Sequence, residues 1–257
     1  MSTELTIANE MGMSLAEMMG FNANTGGGTQ SNLARINSVQ APIMGVVDVG
    51  GKKLKTEVIP VGAYRVEMPD ETIVYAQEIS LRIFAQRNQW IRWNSATNMM
   101  EKSVMASSLS GDLKDNIGSF NLGRPSGYIK DFKALPEKTQ EVMSSVKKLR
   151  NFFGMATLIG AMDAEGNPVD LGKDEIPVVF DVKNRDSLKA IDEAVTAVGR
   201  RNLLPIMNPI ILGGSTGTLS NGNVYAISTA RVGDKVDLKP EDNDTLRSFM
   251  DYITYVN

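Results

Sequence analysis

One short stretch concentrates side chains able to hold a polyanion that also has flat faces. Within LRIFAQRNQWIRWN, residues 81–94, Arg82, Arg87 and Arg92 supply fixed positive charge, Phe84, Trp90 and Trp93 supply rings, and no acid interrupts them. Single-stranded nucleic acid presents a charged backbone and exposed base faces. A protein that holds it needs cations along a groove and aromatic platforms, each stacking contact contributing about 1–3 kcal/mol. Arginine adds counterion release and stacks on bases itself. A second set follows downstream: Lys102, Lys114, Arg124, Tyr128 and Lys130, the last three around a glycine-rich loop in which Arg124-Pro125-Ser126-Gly127 sets a cation beside backbone amides. The competing reading is a solvated arginine row over a core that both tryptophans anchor. Trp93 suits that core role better, and Trp90 suits either.

The chain's charge pattern agrees with the cationic reading. Its net charge is −3, yet residues 81–153 carry 12 basic against 6 acidic groups, with 5 against 9 before them and 10 against 15 after. Half of the 16 aromatic residues fall in that basic third. Such asymmetry points to a polyanion-binding face flanked by acidic segments.

Composition also removes whole classes of chemistry. The 257 residues include no cysteine and no histidine, so thiol nucleophiles, disulfides, imidazole bases and Cys/His metal sites are excluded. GGSTGT at 213–218 is glycine-rich but lacks the following GK[ST], and its flanks read as strands, so a hairpin is expected rather than a phosphate loop. DAEGNPVD at 163–170 lacks the calcium-loop spacing and reads as a turn. Asp112, Asp115 and Asp131 are the remaining candidates for a magnesium site and for a histidine-free nucleic-acid enzyme. Pairing with Lys114 and Lys130, or turn capping, is the preferred reading. The expectation is a protein without catalytic residues, metal or cofactor. No apolar run approaches the roughly 18 residues of a membrane span, and the acidic N-terminus lacks the basic start of a secretory signal.

The elements that must position these residues are mostly strands. Residues 1–31 combine a Met-rich amphipathic pattern with the linker NANTGGGTQSN and read as an arm or tethered helix. Residues 32–233 read as one β-rich domain. Gly50-Gly51 marks a hairpin, and EISLRIFAQ alternates with Ile79, Leu81, Ile83 and Ala85 on one face and Ser80, Arg82, Phe84 and Gln86 on the other. After a break at Arg87-Asn88, Trp90 with Arg92 and Ile91 with Trp93 alternate similarly, and Arg82, Phe84, Trp90 and Arg92 are read as one face. Residues 95–135 look irregular, a helix is expected over 136–150 and another over 187–198, and NPIILGG with NVYAISTARV forms a later hairpin. Residues 234–257 read as an acidic tail or a C-terminal helix, with Leu246, Phe249, Met250 and Ile253 at helical spacing. The predicted class is α+β and β-rich, an OB-like small barrel with insertions and a few peripheral helices.

The layout resembles single-stranded DNA-binding proteins of tailed bacteriophages, in a broadly T7-like sense. The resemblance rests on ISLRIFAQRNQWIRWN at 79–94, KSVMASSLSGDLKDNIGSFNLGRPSGY at 102–128 and RNFFGMATL at 150–158, under a third of the chain. It implies an OB-type barrel groove for single-stranded DNA, a role in phage DNA replication or recombination in the host cytoplasm, and a homo-oligomer. It also implies an acidic tail that recruits replication proteins. Here the tail keeps Lys235, Lys239 and Arg247 and ends in Asn257, so it is less acidic than that pattern. The alternative is a phage virion or assembly protein, suited by the Met-rich N-terminus and many glycine hairpins.

Overall fold

The spine of the molecule is one long strand that carries the basic–aromatic stretch from end to end. The computed structural model describes residues 33–109, 131–172 and 174–257. Its elements are β1 (Ala34–Ser38), β2 (Ile43–Val49), β3 (Lys52–Ile59), β4 (Tyr64–Glu67), β5 (Ile73–Ala76), β6 (Glu78–Asn94) and β7 (Met99–Lys102). After these come α1 (Glu137–Ser145), β8 (Lys147–Ile159), β9 (Ile176–Val182), α2 (Arg185–Arg200), β10 (Ile210–Thr218), β11 (Val224–Val232) and α3 (Asp242–Val256). Among the described residues nine strands, all but β2 and β3, form a sheet in the order β11-β10-β6-β8-β9-β1-β4-β5, with β7 also on β6. Among these neighbours only β1 and β9 run parallel. β2 and β3 pair as a separate two-stranded sheet.

The β-rich α+β reading holds. The pairing, however, ends at β11 and β5 and does not close into a barrel. The sheet curls instead. The Tyr64 hydroxyl donates to the Gly213 carbonyl 3.0 Å away, tying β4 to β10 across the interior. Burial pushes that phenol up to about 12, so it stays a donor. The Gly62 backbone lies against Gly214 so closely that a Cβ there would strike the Gly62 carbonyl. Gly50 and Gly51, with φ of 63° and 79°, make the β2–β3 turn that only residues tolerant of positive φ can form.

Each face of the sheet is covered by one helix. On the first, Ile79, Leu81, Phe152, Phe180 and Tyr64 pack with Ile191, Ala194 and Val198 of α2. Asn184 caps α2, its side chain accepting from the Asp186 and Ser187 amides. On the second, Ala85, Phe153 and Val179 pack with Phe249 and Ile253 of α3, and Phe84 meets Phe249 edge-on at 5.7 Å. Residues 242–256 are therefore a helix docked on the sheet. Each of its two buried apolar side chains, Phe249 and Ile253, contributes about 1.5–3 kcal/mol.

Two local expectations are corrected. The helix expected over 136–150 ends at Ser145, and the chain turns directly into β8, because Leu149, Phe152 and Phe153 are needed in the sheet interior. Within the stretch expected to be irregular, Met99–Lys102 pairs with β6 as β7.

Arg82 is buried, not on a wet face. Its Nε donates to the Ile206 carbonyl at 2.9 Å, and its two terminal nitrogens meet Glu175 at 2.7 Å and Asp242 at 2.6 Å. Burial by itself would raise the Asp242 carboxyl. The Lys239 amide and the Arg82 guanidinium outweigh burial and hold it below its ordinary value. Removing one partner of a buried pair leaves the others uncompensated, so Arg82→Ala is expected to destabilise the fold by about 3–5 kcal/mol in urea unfolding. The depressed Asp242 carboxyl contributes stability that is full above about pH 4 and is lost as pH falls through its folded value. The stability lost between neutral and strongly acidic pH should therefore be smaller in Asp242→Asn than in the native chain.

Candidate nucleic-acid interface

A β-bulge decides which of the predicted residues can act together. The β6–β8 register slips between Ile83 and Ala85, leaving Phe84 as the extra residue. Before the slip, Ile79, Leu81 and Ile83 face α2 while Arg82 and Phe84 face α3. After it the phase inverts: Ala85 joins Phe84 on the α3 side. A bulge has this effect because side chains alternate with period two. The expected single face of Arg82, Phe84, Trp90 and Arg92 is thus split, with Trp90 and Arg92 on the opposite face from Arg82 and Phe84.

The individual placements follow from this inversion. Arg82 is enclosed by its ion pairs, and Phe84 lies half-buried beneath Phe249. Arg87 is half-buried at the edge of α3, donating to the Gln86 carbonyl at 2.8 Å and reaching Met250 Sδ at 3.2 Å. Arg92 pairs with Glu101 across the β6–β7 ladder at 2.7 Å. Lys102 is exposed. Trp90 is half-buried against Val146. Lys114, Arg124, Tyr128 and Lys130 lie outside the described residues, as do Asp112 and Asp115.

Around Trp90 the ladder assembles a group that the sequence did not display. Trp90 stands opposite Lys148, and Asn88 stands opposite Arg150. These four residues share the α2-side face of the β6–β8 ribbon. Arg150 donates to Asn88 Oδ1 at 3.3 Å and pairs with Asp192 of α2. Lys148 is exposed, but partial desolvation and then the neighbouring Arg150 charge lower its pKa, with Asp192 opposing them. Sequence reasoning missed Lys148 and Arg150 by placing them at a helix C-terminus. The available signal was the run Leu149, Phe152, Phe153, whose burial requires a strand.

Trp93 reverses its expectation. It is 54% exposed, next to Met100 in the β6–β7 register, near the turn and on the face away from α2. The outer end of β6 therefore presents one indole on each face, with Arg92, Lys102, Lys148 and Arg150 around them. Comparison with known protein families, curated proteins and solved structures finds no match. Among the described residues no helix is long and apolar enough to cross a membrane.

The unequal exposure of the two indoles is directly measurable. Acrylamide quenching of the free protein should fall sharply in Trp93→Phe, leaving the shielded, blue-shifted emission of Trp90. Trp90→Phe should keep most of the quenchable signal, and equal quenching of the two variants would contradict the placement.

Proposed function

We propose that the protein is a non-catalytic, largely sequence-independent binder of single-stranded DNA, acting in phage DNA replication or recombination. One observation carries this reading: Trp90, Lys148 and Arg150 share a face at the outer end of the β6–β8 ribbon, with Trp93 exposed on its other side. Stacking platforms beside cations are what a sequence-tolerant binder requires, because every base has a π-face and every nucleotide a phosphate. The curled sheet fits an OB-like groove of the kind the phage resemblance implies, and a homo-oligomer in the host cytoplasm belongs to the same proposal. Arg82 and Phe84 take no part in binding here, since α3 covers them.

The decisive experiment is a fluorescence titration with oligo-dT and with duplex DNA at two salt concentrations. Oligo-dT should quench the tryptophans and bind more weakly as salt rises, with the duplex bound less well. Equal weak binding of both, without quenching, would refute the reading. Trp93→Ala should weaken oligo-dT binding by about 1–3 kcal/mol while leaving the unfolding midpoint unchanged.

A second reading, a virion or assembly subunit, is favoured by the β2–β3 hairpin. Met44, Val46 and Leu54 are 50%, 61% and 52% exposed on a ribbon that has no third strand among the described residues. Two strands alone are marginal in water, so a covering partner would stabilise them. Sedimentation of large assemblies without DNA, abolished by Val46→Glu, would favour this reading over the first.

A further inference from the structure

A cleft of about 580 Å³ lies between α2 and the start of β8. Lys148 and Arg150 enter it from the strand, and Arg185, Lys189 and Arg200 enter it from the helix, against Asp192 and Glu193 as its acids. The helix residues recur every three or four positions and so form one stripe. From residue 185 to 200 that stripe is about 22 Å long at 1.5 Å per residue, enough for several consecutive phosphates.

The cleft is short of negative charge. Asp192 is taken by Arg150. Glu193 reaches Lys189 only at 3.9 Å, with both side chains at least 70% exposed, an arrangement that neutralises little. Lys148 and Arg200 make no ion pair among the described residues, and Arg185 only brushes Asp186 at 3.6 Å from an almost fully exposed position. Partial desolvation and the neighbouring Arg150 charge lower the Lys148 pKa, and an anion entering the cleft would offset that repulsion. The rest of the lining is Leu188 and Thr196, with no ring on which a base could stack. The cleft can therefore grip phosphate but not a base. On the same face Trp90 stands opposite Lys148 and is partly exposed.

We infer that the α2–β8 cleft is a phosphodiester track, holding the backbone of a single strand whose bases stack at Trp90. This inference rests on the nucleic-acid reading above and assigns it a path. In the full chain, Lys189→Gln/Arg200→Gln removes two exposed cations without touching the core. It should make the plot of log binding constant against log salt for oligo-dT shallower by about 1.4, at roughly 0.7 per phosphate contact on a single strand. Quenching at saturation should be unchanged. Lys235→Gln/Arg247→Gln, the same charge change away from the cleft, should leave the slope alone.

An unaltered slope in the cleft variant, or an equal loss in the control, overturns the track while the DNA-binding reading stands. Calorimetry with inorganic tripolyphosphate separates the two ideas further. Tripolyphosphate binding that is lost in the cleft variant, by a native chain that also binds oligo-dT, supports the track. Tripolyphosphate binding by a chain that ignores oligo-dT overturns both the DNA reading and the track, and makes the cleft a site for free polyphosphates.

Discussion

A guanidinium inside a sheet must be matched charge for charge, and Arg82 is the place where this chain meets that constraint. Taking an ion out of water costs several kcal/mol unless partners replace the lost solvation. Those partners come from far along the chain: Glu175 before β9, the Ile206 carbonyl after α2, and Asp242 at the first turn of α3. Docking of α3 is thereby coupled to the position of two other connections. The apolar contacts of Phe249 and Ile253 add area, but they are non-directional. The directional ion pairs fix where the helix begins.

The same strand carries the second constraint. One inserted residue at Phe84 inverts the phase of everything beyond it. Without the bulge, Trp90 would lie on the α3 side with Arg82. With it, Trp90 faces the cations of β8 and the open flank of α2. Bulges redirect side chains at little energetic cost because they bend the strand without leaving it. Here the redirection separates a structural arginine from a half-buried aromatic group only eight positions later.

Much of the fold was legible from the text of the chain. The β-rich class, the Gly50-Gly51 hairpin, the β10–β11 hairpin and α2 all follow from local signals that the tertiary structure leaves intact. The site was less legible because its errors were not local. Arg82 and Arg92 have the same residue type on the same strand, and only distant acids distinguish the buried one from the half-exposed one. A bulge has no obligatory sequence signature when its extra residue is phenylalanine. The strand beginning at Lys147 followed a helical pattern so closely that its cations were assigned to a helix end. Trp93 was read as core, yet its strand extends beyond the pairing with β8 to a turn where, among the described residues, the indole stays 54% exposed.

The net charge of −3 is an average over the chain, and the lining of the α2–β8 cleft departs from it, with five cations against the two acids Asp192 and Glu193. The acids of α3 lie on one side, where Asp242 is engaged by Arg82 and Asp244 approaches Arg247 at 3.7 Å. The cations of β8 and α2 lie on the other. Two helices on opposite faces of a sheet are separated by more than the roughly 10 Å that a single packing layer occupies. Exposed charges that far apart are screened at physiological salt, where the Debye length is about 8 Å. The α2 side presents the local field of Lys148, Arg150, Lys189 and Arg200, not the average of the chain. The sheet interior that keeps α2 and α3 apart is therefore an electrostatic element as well as a core: it lets an acidic protein keep a basic groove.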